Sequence, residues 1–192
     1  LTLGERHGIR VDKKLQTSDA HIWAVGDAIE VVHPVSGQNT LIALGGPANR
    51  QGRIVANNIF GDEDAYNGTL GTAILRGFEL TAAATGLNEA LLETLQLPYE
   101  AIHLHPSHHA GYYPGAEKIA LKVLFNPQTG ALYGAQAVGR EGVDKRMDVL
   151  ATAIQANMTV RDLAELELSY APPFGSAKDP INLAGMMGEN IL

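Results

Sequence analysis

Lys118 to Val138 reads KIALKVLFNPQTGALYGAQAV. Two apolar runs, Lys118 to Phe125 and Ala131 to Val138, flank Asn126-Pro127-Gln128-Thr129-Gly130. Short apolar runs bounded by Asn, Pro and Gly predict two strands joined by a glycine-containing hairpin loop. Downstream the period changes. Val143, Met147, Leu150 and Ile154 recur at helical spacing. Thr159, with Asp162 three residues on in place of the Glu of a capping box, predicts the start of a second helix. Upstream, Thr72 to Thr85 is apolar, partly β-branched and punctuated by Gly77 and Gly86, which predicts a strand pair or a bent strand. Asn88 is a good helix N-cap, with Ala90, Leu91, Leu95 and Leu97 packing behind it. Glu100 to His105 has strand character. Strands followed by helices, without βαβ alternation, define an α+β layer structure with an antiparallel sheet.

The first third of the chain is organised differently. Thr17 to Asp27, TSDAHIWAVGD, places a polar turn before His21-Ile22-Trp23-Ala24-Val25 and stops at Gly26-Asp27. The expectation is a buried strand, a glycine that lets a ligand approach, and one carboxylate at the strand's C-terminal edge, where open α/β sheets bind cofactors. A long helix is predicted from Gly45-Gly46-Pro47 to Gly61, with Pro in its first turn and Ala48, Gly52, Val55 and Ile59 on one face. One strand and one helix cannot close a core. Residues 1–66 are therefore expected to be part of an α/β nucleotide-binding domain, and residues 67–192 a self-sufficient α+β domain.

Composition narrows the function classes. A net charge of −7 over 192 residues argues against nucleic acid or an anionic membrane surface as partner. No apolar run approaches the roughly 20 residues that span a bilayer, and a cytoplasmic location is the default expectation. With no cysteine there is no disulfide and no thiolate metal site.

Four stretches carry candidate chemistry. Asp27 can accept hydrogen bonds from vicinal hydroxyls, or merely cap the following turn. Leu44-Gly45-Gly46-Pro47-Ala48 opens a helix whose free amides and positive dipole end can meet a ligand, or is an ordinary Gly-Pro helix start. Ser169-Tyr170-Ala171-Pro172-Pro173-Phe174-Gly175 sets a tyrosine beside two prolines, expected to hold it on a stiff extended arm; a phenol there can donate a hydrogen bond or proton to a thiolate. His103, His105, His108 and His109 invite a zinc reading, but they are expected in a loop, without cysteine and without a His-x3-His helical pair. They are read as solvated histidines, and no metal is assigned.

Taken together, TSDAHIWAVGDA, the Gly45-Gly46-Pro47 helix start and YAPPFGSAKDP resemble the pyridine nucleotide-disulfide oxidoreductases. The last string resembles the branch that contains coenzyme A-disulfide reductases, NADH oxidases and persulfide reductases. No His-Pro-x-x-x-Glu stands near the C-terminus, which separates the chain from glutathione reductase-like members. The resemblance implies a partial FAD-binding segment followed by a dimerisation domain. It implies that Gly26, Asp27, Leu44, Gly45, Gly46, Pro47 and Ala48 contact FAD, with Asp27 on the ribityl hydroxyls and the helix start at the pyrimidine edge. It implies that Tyr170 reaches across a homodimer into the partner's active site. Tyr112 matches a second active-site tyrosine, with adjacent Tyr113 as the alternative. The implied whole is an NAD(P)H-dependent reductase of a coenzyme A disulfide or persulfide, or else of oxygen or peroxide, working through a cysteine outside these residues.

Overall fold

In the computed structural model, which describes residues 1–192, the chain divides into Leu1–Gly71 and Thr72–Leu192. The sequence expectation places that division at 66/67.

In the first unit a 3-10 turn at Gly26–Ala28 precedes β1 (Val31–Val32) and β2 (Asn39–Thr40), which pair antiparallel, and α1 (Gly45–Ile59). Leu15, Ile29, Val31, Ile54 and Tyr66 form its buried cluster. Two expectations are corrected here. His21 to Val25 is not a buried strand: Trp23 makes only an isolated bridge to Gln16, and Ile22 and Val25 are exposed. A strand needs a ladder partner along its length, and these residues have only the turn that Thr17 and Leu15 close on Ile22 and Ala24. The long helix forms where predicted, but its buried face is Gln51 and Ile54 rather than Ala48, Gly52, Val55 and Ile59. Ile54 is buried in the cluster, and Val55, from the predicted face, packs against it half-buried.

The second unit is built on a five-stranded antiparallel sheet in the order β3-β4-β7-β6-β5. Its strands are β3 (Ala73–Gly77), β4 (Leu80–Gly86), β5 (Glu100–Leu104), β6 (Ile119–Phe125) and β7 (Leu132–Gly139). Helix α2 (Glu89–Thr94) lies between β4 and β5; α3 (Val143–Gln155), α4 (Val160–Glu165) and α5 (Pro180–Glu189) follow β7. Strand pairing puts Leu104, Leu121, Ala137 and Ala83 in one row across β5, β6, β7 and β4, with Ile102, Val123, Ala135 and Thr85 in the next. All eight are buried. The small side chains on β4 and β7 leave room for α3, which packs on those two strands. It does so with Val143, Met147, Leu150 and Ile154, the predicted stripe. Fully burying an aliphatic side chain of this size contributes roughly 1.5–3 kcal/mol.

The predicted caps form. The Asn88 side chain accepts from Leu91 N–H, and Thr159 and Asp162 make a reciprocal capping box on α4. Asp162 accepts from the Thr159 backbone N–H and hydroxyl, which holds its carboxyl below the usual range. Behind Asn88, the buried residue is Leu92, whereas Ala90 and Leu91 point outward; one residue of helical phase decides which leucine meets the sheet. Pro172-Pro173 is not extended. Phe174 N–H and Gly175 N–H both donate to Ala171 C=O, at 2.9 and 3.1 Å, closing a turn. No helix is long and apolar enough to cross a membrane.

Candidate functional site

The first unit brings the Gly26-Asp27 turn and the start of α1 together. Gly26 has φ +75°, a conformation that L side chains rarely adopt, so the residue at this corner is constrained to glycine. Its N–H donates to Gln51 Oε1 at 2.7 Å, and a Cβ on Gly26 would lie 3.7 Å from Ala48 Cβ. The corner is thus locked onto the first two turns of α1. Gln51 is buried and was not singled out by the sequence reading. A polar residue one turn inside an otherwise apolar helix face was the available signal.

Asp27 is exposed, beside a helix end with unusual features. Leu44, the N-cap, is extended at φ −137° and ψ 135°, and no side chain caps the first amides. No carboxylate stands in the first turn. Gly45 and Gly46 have nothing within 4 Å of where a Cβ would sit. Nothing inside the chain requires glycine at either position, and glycine in a helix is unfavourable relative to alanine. What these residues leave open is an approach to backbone N–H groups at the positive end of a helix dipole, flanked by one carboxylate. Anion or ring-edge recognition by the amides and hydroxyl recognition by Asp27 fit a flavin nucleotide. A cleft of about 350 Å³ in the same unit, lined by Arg10, Lys13, Glu30 and Tyr66 among others, shares no residue with this corner.

The second unit brings Tyr112 and Tyr170 together although they are 58 residues apart: their hydroxyls lie 3.1 Å from each other. Both side chains are accessible, at 77% and 50% relative exposure. The hydrogen bond to Tyr170, with a smaller contribution from burial, holds the Tyr112 phenol above the ordinary phenol range. Tyr113 points elsewhere and packs edge-on against the His109 ring, centroids 5.7 Å apart.

Neither tyrosine sits on a helix or strand, so other contacts set their positions. Ala110 N–H donates to Gly175 C=O at 2.9 Å, tying the two loops. Arg146 of α3 lies beneath them. Its Nη2 donates to His108 C=O at 2.7 Å and to Asp179 Oδ2 at 2.8 Å, and its Nε donates to Asp179 Oδ1 at 3.2 Å. Asp179 in turn caps α5 by accepting from Ile181 N–H at 3.1 Å.

The expectation of solvated loop histidines is corrected: His109 is buried, and its ring centroid lies 4.1 Å from that of His108. His103 lies on β5 rather than in the loop, and the His108 Nδ1 accepts from Glu117 N–H at 3.0 Å. No group of three or more His, Asp or Glu side chains is placed to hold a metal ion.

A five-stranded antiparallel sheet backed by helices, carrying a pair of exposed tyrosines, defines the second unit as an α+β domain. Residues 76–179, more than half the chain, match the family described as pyridine nucleotide-disulphide oxidoreductase, dimerisation domain. The chain belongs to that family. It is 32% identical over 192 residues to the coenzyme A disulfide reductase of Staphylococcus haemolyticus, covering all of this chain and 43% of the relative. The reduced CoADR-RHD of Bacillus anthracis is 55% identical, with a TM-score of 0.96 over 99% of this chain and 34% of that one. An NAD-dependent persulfide reductase from A. fulgidus is 40% identical, with a TM-score of 0.96 over 98% of this chain and 35% of that one. The chain therefore spans about two fifths of the curated relative and about a third of the two solved structures.

Proposed function

We propose that this chain forms the flavin-edge and dimerisation part of an FAD-dependent NAD(P)H oxidoreductase that reduces a coenzyme A disulfide or a persulfide. The observation that carries the reading is the 3.1 Å contact between the Tyr112 and Tyr170 hydroxyls. It assembles two phenols from distant segments at an accessible surface. When bound, FAD supplies the hydride-accepting redox centre; the chain's own residues hold it and handle protons. Asp27 would accept hydrogen bonds from the ribityl hydroxyls. The free amides of Gly45 and Gly46 would face the electron-rich edge of the ring, with Leu44, Pro47 and Ala48 shaping the approach.

At the other site the two phenols act as a unit. One donates to the other, and the second hydroxyl hydrogen remains for a ligand. A thiolate leaving a disulfide or persulfide accepts that hydrogen bond and, with it, a proton. The phenol loses its proton reluctantly by itself, so it serves as donor at neutral pH, not as base. The attacking cysteine lies outside these residues, since the chain contains none. In this reading the chain works as a homodimer in which each protomer presents its tyrosines to the other.

The test uses the full-length enzyme. Tyr170→Phe should lower turnover of coenzyme A disulfide by about 10²-fold, the lower end for a lost general acid, because Tyr112 keeps one phenol in place. Flavin reduction by NAD(P)H, followed by stopped-flow absorbance, should be nearly unchanged. If both steps proceed at the parent rate, the phenols have no part in the chemistry. Oxygen consumption by the parent, insensitive to added disulfide, would favour the NADH oxidase reading instead.

A further inference from the structure

The geometry points to Arg146 and Asp179 as positioning residues: a buried clasp under the tyrosine site that holds the Tyr112 and Tyr170 loops in one register. The clasp makes contact with every segment whose placement matters. Arg146 is 1% exposed and Asp179 3%, so the guanidinium has left water and needs nearly all its donors satisfied. Its fork does this by reaching three segments. Nη2 meets His108 C=O in the loop that carries Tyr112. Nε and Nη2 meet both oxygens of Asp179, where the Tyr170 arm enters α5. Nη1 meets Gly142 C=O at 3.3 Å, the turn that starts α3.

The backbone around the clasp is shaped to admit it. Gly142 has φ +73°, and a Cβ there would lie 2.5 Å from Arg146 Nη1 and 3.0 Å from His108 Cβ. A side chain at Gly142 would therefore displace both the guanidinium and the Tyr112 loop. Asp179 is used twice, since the carboxylate that receives the fork also caps α5 through Ile181 N–H. The Tyr170 arm is thus fixed at its downstream end to a helix and, through Arg146, to the base of the other loop.

Stability alone is a weak account of the pair. Replacing a buried ion pair by apolar residues of similar volume is often neutral or favourable, whereas the bidentate geometry specifies one relative position of its partners. The property specified here is the spacing of two loops that no helix or strand connects. Lysine does not reproduce it, because an ammonium is a point donor without a planar fork.

The positioning role rests on the reading of the two phenols as reacting groups, and the test separates the two claims. The full chain, 13Cζ-labelled at its six tyrosines, is titrated by NMR as the parent, as Tyr170→Phe, as Arg146→Lys and as the charge-free pair Arg146→Met with Asp179→Asn. Asparagine is chosen at 179 because, like aspartate, it caps helices well. Amide protection of β6 and β7 reports whether the sheet is intact. The Tyr112 midpoint, raised in the parent by its bond to Tyr170, should fall to the Tyr170→Phe value in the charge-free pair. It should fall part of the way in Arg146→Lys, with the β6 and β7 amides still protected. A parent-like Tyr112 midpoint in a folded variant overturns the proposal. Loss of β6 and β7 protection in both variants overturns it too, by making the pair part of the framework. Failure of the Tyr170→Phe turnover test would leave the clasp standing and remove only the chemistry assigned to the phenols.

Discussion

At the scale of single residues, Gly45 and Gly46 are informative because nothing in the chain needs them to be glycine. Both lie in helical conformation with empty space where a side chain would be. Alanine there would favour the helix, by up to about 0.5 kcal/mol given the first-turn position. Gly46→Ala is therefore expected to leave the melting temperature unchanged or slightly higher while lowering the flavin content of the purified full-length enzyme. Absorbance at the flavin band against protein concentration checks it, and full flavin occupancy in the variant would remove the α1 start from the cofactor site. Gly26 differs. Its positive φ and the Gln51 bond are internal requirements of the corner. Gly26 and Asp27 were legible as a glycine followed by a carboxylate, but their setting was not, since a turn precedes them where a strand was expected. Gln51 left only the signal of a polar residue on the buried helix face; its role, accepting from Gly26 N–H, is visible only in the fold.

At the scale of elements, the crossing of α4 and α5 is packed too closely to admit a side chain at its contact point. A Cβ on Gly185 of α5 would lie 2.2 Å from Ala164 N and 2.7 Å from Leu163 C, both backbone atoms. Backbone cannot move aside as a flexible side chain can, so Gly185→Ala should force the helices apart and cost about 1–3 kcal/mol. Thermal or urea unfolding monitored by circular dichroism would read this as a lower midpoint. An unchanged midpoint would mean that the crossing relaxes at no cost. Asn182, one turn before Gly185 on α5, stabilises the same crossing, its Nδ2 donating to the Leu163, Ala164 and Leu166 carbonyls at the end of α4. The β6–β7 hairpin, the α3 stripe and the two caps could be read directly, because each rests on local periodicity or on a residue pair three positions apart. The buried face of α1 and the choice of Leu92 over Leu91 could not. A helix with apolar residues on several faces is phased by its neighbours, and those neighbours are distant in sequence.

At the scale of the whole molecule, the second unit leaves apolar side chains in solvent. Tyr170, Phe174, Met186, Met187, Ile191 and Leu192 are exposed along the arm and α5. Surface of this kind is typical of a protein-interaction site. With the family assignment, it supports a homodimer. Light scattering of the chain should return about twice its 20.4 kDa, and a monomer at tens of micromolar would count against tyrosines shared between protomers.

The sequence by itself determined the class of this protein. Period-2 and period-3.6 patterning, Gly and Pro punctuation and cap pairs act over a few residues, and together they specified an antiparallel sheet with helices and the strings that mark the family. It also named Tyr112 and Tyr170 singly, by resemblance. Tertiary structure alone decided that the two hydroxyls meet at 3.1 Å, that Pro172-Pro173 turns back instead of extending, and that Arg146 and Asp179 sit beneath both loops. The physical reason is range. Contacts between residues 58 apart in sequence depend on where α3 and α5 settle against the sheet, and no local pattern carries that information.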